Sequence, residues 1–208
     1  MKVFIAAGHG GGDPGSLGNN TTEAAEVIKL VDDTVQLLSG RYGAEIEIIQ
    51  IDNKMNLQDE VAIINKLTTD PNKDIAIEIH MNNNTGSPGT GIETYFGKRS
   101  LAENLQKTLI EELGMIDRGV KEGNWLYFNN STHPGSALIE IGFLNNVTDL
   151  VKVRESGAHA LAMAIVNAVG VKLPTPNQPE PPKEPNTGKI AQVIEKLKEI
   201  IAILLEYK

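Results

Sequence analysis

Residues 75–80 read IAIEIH, a short apolar run that contains one glutamate and ends on a histidine. Two other stretches have the same character, VFIAA at 3–7 and ALIEIGF at 137–143. Nearly continuous apolar runs of this length are typical of strands that are buried on both faces of a sheet. Segments with helical spacing separate these runs. The alternation predicts an α/β fold, with a twisted, mostly parallel sheet and helices on both of its faces.

The predicted elements alternate in order along the chain. Strands are predicted at 3–7, 44–51, 74–80, 91–96, 125–128 and 137–143. Helices are predicted at 21–39, 56–69, 100–113 and 146–169, the last being either one helix or two helices broken at Gly157. Thr21 or Thr22 is the expected N-cap of the first helix, and Asn56 that of the second. In sheets of this kind, sites form beyond the carboxyl ends of the strands.

Composition excludes several classes of protein. The 208 residues contain no cysteine, so disulfides, cysteine-ligated zinc and iron–sulfur clusters are excluded, and any metal must be held by histidines and carboxylates. A net charge of -8 argues against nucleic acid as a partner. No apolar run approaches the ~20 residues of a membrane span. The apolar stretch at the N-terminus is too short for a signal peptide, which predicts a chain that is made in and stays in the cytoplasm.

The C-terminal part of the chain differs from the rest. Six of the ten prolines fall within 174–188, which predicts an extended linker after a catalytic domain at 1–173. Apolar residues in 189–208 recur at steps of three and four, as in the seam of a coiled coil. This segment is therefore predicted to form an amphipathic helix that makes the chain a homo-oligomer. Packing onto its own domain and an amphipathic contact with a membrane surface are the alternatives.

Three residues at the ends of predicted elements can form a metal site. His9 follows the first strand in a glycine-rich loop, Glu23 opens the first helix, and His80 ends the strand at 74–80. Two imidazoles and one carboxylate are a ligand set of hydrolytic zinc sites that leave a fourth position open. Glu140 lies inside an apolar strand, where a carboxylate is costly unless a metal, a partner or a function stabilises it. On these residues, Glu140 is the candidate general base.

Four motifs in order resemble the zinc-dependent N-acetylmuramoyl-L-alanine amidases of the family 3 type. The motifs are Gly8-His9-Gly10-Gly11 with Asp13-Pro14-Gly15, Glu23, Ile79-His80-Met81-Asn82, and the segment 138–146 with sequence LIEIGFLNN. The resemblance covers 1–170. It implies a twisted, mostly parallel sheet flanked by helices, and hydrolysis of the amide between N-acetylmuramic acid and L-alanine in peptidoglycan. It makes His9, Glu23 and His80 the ligands of one zinc ion and Glu140 the catalytic carboxylate.

Three further residues are candidates for supporting roles. Glu78 stands where many family members have serine, and it shares a strand face with His80. It either accepts a hydrogen bond from an imidazole or pairs with a nearby lysine or arginine. Asn82 matches the asparagine that follows the second histidine in the family. His133 either contacts the substrate or the developing oxyanion, or is a solvated loop residue.

The resemblance also indicates a cellular role. Since no signal peptide is recognised, the chain looks more like a phage endolysin, or a prophage or clostridial lytic amidase, than an exported autolysin. Release to the cell wall would then depend on a holin if the chain is phage-encoded. The rival functions are a different zinc hydrolase of the cell wall and a peptidoglycan-binding module with little or no turnover.

Overall fold

The computed structural model describes residues 1–42, 46–123 and 135–171, and a six-stranded sheet forms their centre. The strands are β1 (Lys2–Ala7), β2 (Leu17–Gly18), β3 (Thr21–Thr22), β4 (Glu47–Gln50), β5 (Ile75–Asn82), β6 (Ile92–Phe96), β7 (Asp117–Glu122) and β8 (Ser136–Phe143). The α-helices are α1 (Glu23–Tyr42), α2 (Leu57–Leu67), α3 (Arg99–Leu113), α4 (Val147–Lys152) and α5 (Ala158–Ala168). All of these elements belong to one compact unit, Met1–Lys172.

The sheet is mostly parallel, as the sequence predicts. Its strand order is β4-β1-β5-β8-β6-β7. The first four strands run parallel to one another. β6 is antiparallel to β8, and β7 is parallel to β6. The carboxyl ends of β1, β5 and β8 therefore lie side by side at one edge, next to the beginning of β6.

Helices cover both faces of the sheet. Successive side chains of a strand point to opposite faces, so the apolar strands present apolar side chains on both sides. Val3 and Ile5 of β1 point into the larger core, which α1, α3 and α5 complete. Phe4 and Ala6 point to the opposite face, into a smaller core beneath α2. The first of these faces is wholly apolar at the centre of the sheet. The second carries the charged residues Glu78, His80 and Glu140, whose placement is described below.

Two caps fix where the first helices begin. Thr22 Oγ1 accepts a hydrogen bond from the Ala25 N–H at 3.1 Å, so α1 begins at Glu23, the position after this cap. The side chain of Asn56 accepts a hydrogen bond from the Asp59 N–H at 3.0 Å, as predicted for the cap of α2. The first cap matters for function, because it puts a carboxylate on the first turn of α1, near the edge where the parallel strands end.

The C-terminal helical segment is one helix and not two. α4 passes through a π-helical turn at Val153–Gly157 directly into α5. Gly157 does not break the helix; it allows close packing, because a Cβ at this position would lie 3.1 Å from Cδ1 of Leu30 on α1. None of the helices described by the structure is long and apolar enough to cross a membrane.

The edge strand β7 is absent from the sequence-based predictions. Its residues, DRGVKE at 117–122, are mostly polar and carry no apolar alternation, which is common for strands at the edge of a sheet. The predicted strand 125–128, the linker 174–188 and the helix 189–208 lie outside the described residues, as does His133.

Candidate metal centre and active site

The loop after β1 holds His9 in a specific orientation. His9 has a φ of 65°, in the left-handed region that few non-glycine residues adopt, and Gly10 follows with a φ of 113°. Backbone hydrogen bonds of 2.9 Å in both directions between Gly10 and Asp13 close the loop. Oδ2 of Asp13 lies 2.9 Å from Nδ1 of His9. This hydrogen bond is the main cause that lowers the pKa of Asp13, and it leaves the other ring nitrogen of His9 directed at Glu23.

Glu23 lies between the two histidines. Its Oε1 is 3.0 Å from Nδ1 of His80, and its Oε2 is 3.3 Å from Nε2 of His9. Each oxygen also accepts a backbone N–H, from Met81 at 3.1 Å and from Ser16 at 3.0 Å. Burial alone would raise the pKa of Glu23, but the hydrogen bonds from His80 and from these N–H groups lower it to about 2. Glu23 is therefore a fixed carboxylate.

His80 is the more enclosed of the two histidines, with 16% of its side chain exposed against 27% for His9. Burial disfavours its charged form, but hydrogen bonds to Glu23 and Glu78 and the charge of Glu140 raise its pKa to about 10. Its ring is edge-on to that of His9, with centroids 5.0 Å apart. A Cβ at Gly8 would overlap the His80 ring, and one at Gly15 would lie 2.6 Å from Cδ2 of His9. The two glycines therefore make room for the imidazoles, a role that their place in a turn does not reveal.

The three residues together form a candidate metal centre. One ligand atom from each of His9, Glu23 and His80 lies within 4.8 Å of the other two. Two imidazole nitrogens and one carboxylate oxygen suit zinc among the common divalent ions. The donor set and its spacing fit the predicted ion, and the orientation of each ligand is fixed by a further hydrogen bond.

Glu140 lies beside this centre on β8. It is the register partner of His80 on one side and of Glu93 on the other. Its Oε2 is buried and has no hydrogen-bond partner among the described residues. Burial raises the pKa of Glu140 to about 7, and the carboxylates of Glu23, Glu93 and Glu78 add to this rise while His80 opposes it. A buried acid with an unused oxygen next to a metal-ligand set is a candidate proton carrier.

A pocket of about 460 Å³ opens next to the histidines. Its lining includes Glu78 and a residue that the sequence analysis missed, Glu60 of α2. Glu60 is 7% exposed, and burial followed by the charge of Glu78 raises its pKa to about 7. Glu60 precedes Val61 on the buried side of α2, and that position in the helical pattern is the signal that identifies it. Glu78 is also close to His80, with Oε1 3.3 Å from Nε2.

A further buried carboxylate, Glu93 of β6, gathers four donors on the far side of Glu140. Arg118 Nε and Lys121 Nζ each lie 2.6 Å from its Oε2. Tyr95 Oη and Asn82 Nδ2 each lie 3.0 Å from its Oε1. Asn82 is thus held by Glu93 at the carboxyl end of β5. The sequence analysis did not identify Glu93, because the polar strand that supplies its cations was not predicted.

Comparison with known proteins agrees with this geometry. The profile of the family described as N-acetylmuramoyl-L-alanine amidase matches residues 3–170. The chain belongs to this amidase family. An uncharacterised protein of Bacillus subtilis, YqiI, is 32% identical over 175 residues, covering 80% of this chain and 82% of YqiI. The amidase LytC of the same organism is 30% identical over 161 residues, covering 74% of this chain but only 32% of LytC.

Two further relatives extend the similarity to an endolysin and to a solved structure. An endolysin of Bacillus phage SPP1 is 27% identical, covering 93% of this chain and 76% of the endolysin. The crystal structure of an N-acetylmuramoyl-L-alanine amidase from Clostridium difficile 630 superposes with a TM-score of 0.71 at 28% identity, covering 81% of this chain and 94% of that one. The mostly parallel sheet flanked by helices is therefore the architecture of the amidase family.

Proposed function

We propose that the chain hydrolyses the amide bond between N-acetylmuramic acid and L-alanine in peptidoglycan, with zinc as its cofactor. One observation carries the proposal: the buried, unpartnered carboxylate of Glu140 lies next to a trio of ligand atoms that fits a metal ion. Hydrolysis of an amide needs an electrophile for the carbonyl oxygen and a base for water. Membership of the amidase family supports the choice of peptidoglycan as substrate.

In this proposal His9, Glu23 and His80 hold one zinc ion. When bound, zinc supplies a Lewis acid that polarises the amide carbonyl and makes water more acidic. Asp13 orients His9 through Nδ1, and Glu78 orients His80 through Nε2. The 3.3 Å contact to His80 supports this role for Glu78 over the alternative of an ion pair, since the described lysines and arginines make no salt bridge with it.

Glu140 moves the proton. It accepts a proton from the attacking water as the water oxygen adds to the carbonyl carbon. It then donates that proton to the amide nitrogen as the C–N bond breaks, which leaves a free lactyl carboxylate and the amine of L-alanine. A pKa of about 7 suits a group that must both accept and donate a proton near neutral pH. Asn82 is placed at the substrate side, where its Nδ2 donates to Glu93. For His133 both predictions stand, a contact with the substrate or the oxyanion and a solvated loop residue.

The test is mass analysis of purified peptidoglycan after digestion, with and without a chelator. The proposal expects new L-alanine amino termini without the chelator, none with it, and recovery when zinc is restored. New reducing sugar ends or new termini elsewhere in the peptide would indicate a different cell-wall hydrolase. Binding to peptidoglycan without any new termini would indicate the binding module.

We propose further that the chain is a lytic enzyme of the endolysin type, acting on the cell wall after holin-dependent release. Its likeness to a phage endolysin along nearly its whole length supports this role. Expression inside a bacterium with and without a holin tests it, since lysis should require both proteins.

The sequence of 189–208 also supports a homo-oligomer, which would raise avidity for a polymeric substrate.

A further inference from the structure

We propose that Arg118 and Lys121 bind a carboxylate of the peptide that leaves when the amide is cleaved. This inference rests on the proposed function, and it places the peptide of the substrate on the β7 side of the site. It starts from Glu93, whose side chain is 3% exposed and whose Oε2 contacts both cations. Two positive charges face one negative charge, so the three side chains carry a net charge of +1 in a chain whose net charge is -8.

The two cations are held in place and remain accessible. The guanidinium of Arg118 lies over the ring of Phe143, 4.9 Å from its centroid, and the ammonium of Lys121 lies 5.5 Å from the centroid of Tyr95. Their side chains are still 35% and 39% exposed. Tyr95 and Asn82 already donate to the other oxygen of Glu93, so one cation would be enough to neutralise it. Glu93 is the one described carboxylate with which either cation forms an ion pair, so the second cation can pair with an added carboxylate.

The position of the cations matches the length of a short peptide. Glu93 is the register partner of Glu140, and β7 is the next strand beyond β6. Since neighbouring strands lie ~4.8 Å apart, β7 lies roughly 10 Å from β8. Two extended peptide residues span about 7 Å, and the long side chains of Arg118 and Lys121 cover the remainder. A carboxylate two residues beyond the scissile amide would therefore reach them.

The opposite flank of the site is unsuited to a carboxylate. The pocket beneath α2 is lined by three acidic residues, Asp13, Glu60 and Glu78. Its described basic lining residues are Lys54 and the two candidate metal ligands, His9 and His80. The buried Glu60 and Glu78 would repel an anion and accept hydrogen bonds from hydroxyl or amide N–H groups. This contrast directs the peptide over β8, β6 and β7, and the neutral, hydroxyl-rich sugar towards α2.

The test compares two glycan substrates that differ in one group. Their stem peptides carry either D-isoglutamate, with a free carboxylate two residues from the muramoyl group, or D-isoglutamine, with a carboxamide at the same place. Release of L-alanine amino termini gives kcat/KM for each. We expect the full chain to prefer the carboxylate substrate about fivefold, the strength typical of a partly exposed ion pair. Arg118→Gln and Lys121→Gln should each reduce this preference, by lowering kcat/KM for the carboxylate substrate alone.

Arg99→Gln is the matched control, because Arg99 also lies over a phenylalanine ring, 4.6 Å from the centroid of Phe96, and pairs with an exposed glutamate. It should leave the preference unchanged. Each of the other two variants leaves Glu93 with three of its donors, so at least one is expected to fold. If both substrates lose activity equally in both variants, or if the wild-type chain shows no preference, the cations only support Glu93 and the inference is wrong. If neither substrate is cleaved by the wild-type chain, the proposed function itself fails.

Discussion

Replacing Glu140 by glutamine should separate catalysis, metal binding and stability. Glutamine has the same shape but can neither accept the proton of water nor pass it to the amine. Loss of a general base typically reduces the rate by about 10²- to 10⁴-fold. Glu140 is not one of the trio of ligand atoms, so the variant should still bind one zinc ion per chain. Release of L-alanine amino termini and zinc content after gel filtration measure the two quantities on the same sample.

The same substitution should make the metal-free chain more stable at alkaline pH. Folding raises the pKa of Glu140 from 4.5 to about 7, mainly through burial. An acid whose pKa is raised by folding opposes folding once it is ionised, so this penalty is absent below pH ~4.5 and complete above pH ~7. The rise corresponds to at most about 3–4 kcal/mol. Calorimetry of the metal-free chain should therefore show Glu140→Gln clearly more stable than the wild type at pH 8, by less than about 1 kcal/mol at pH 5, and equal to it as the pH falls below ~4.5.

Three results would refute this reasoning. Loss of zinc from the variant would make Glu140 a ligand and not a base. Activity close to that of the wild type would remove its catalytic role. A stability gain that does not change with pH would mean that the effect comes from packing and not from the charge of the carboxylate. Glu111→Gln, at an exposed position on α3, is the control for removing one negative charge, and it should change none of the three measurements.

Four further predictions test other parts of the site. His80→Ala should lose both zinc and activity, and a fully active, metal-free variant would exclude the proposed centre. Glu78→Gln should bind zinc about 10- to 100-fold more weakly, because His80 loses the partner that orients it; unchanged affinity would argue for a merely structural carboxylate. In the metal-free chain, Glu60→Gln should raise the free energy of unfolding by about 1–2 kcal/mol at pH 8 and by about half a kcal/mol or less at pH 5, since folding raises the pKa of Glu60 to about 7 and the pocket leaves it partly solvated. Urea titrations at the two pH values measure this. Sedimentation should find the full chain larger than a monomer at tens of micromolar and a chain ending at Leu173 monomeric; two monomers would end the proposed role of 189–208.

The sequence predicts the centre of this fold better than its edge. The strands β1, β5 and β8 are buried on both faces, so burial alone dictates their apolar runs and makes them visible in the sequence. Glu140 can be identified from the sequence for the same reason, because a carboxylate inside an apolar run is unusual and indicates a function. β7 is an edge strand that is not buried on both faces, so its residues need not be apolar. Its sequence, DRGVKE, resembles a polar loop. Its two cations and their partner Glu93 therefore could not be connected from the sequence, although Glu93 is buried.

Sequence motifs also predict where a site residue lies along the fold better than they predict which side chains it contacts. The cap at Thr22 and the end of β5 place Glu23 and His80, but their approach depends on Gly8 and Gly15 leaving space for two rings. The two readings of Glu78 could not be separated, because a strand pattern fixes the face of a side chain and not its partner. The helical pattern of α2 indicates that Glu60 is buried, but its approach to Glu78 and His80 depends on tertiary packing, which no spacing in the sequence specifies.

The electrostatics of the site give an independent reason to expect a cation there. Glu23, Glu60, Glu78 and Glu140 lie on one side of the sheet, around the imidazoles of His9 and His80. Burial is the main cause that raises the pKa values of Glu60 and Glu140, and the charges of neighbouring carboxylates add to the rise. A divalent ion at the trio would reverse this effect and stabilise all four as anions. We therefore expect zinc to raise the melting temperature more at pH 8 than at pH 5, since at low pH protons already neutralise part of the cluster and compete for the imidazoles. An equal rise in melting temperature at both pH values would mean that the carboxylates and the metal site are not coupled.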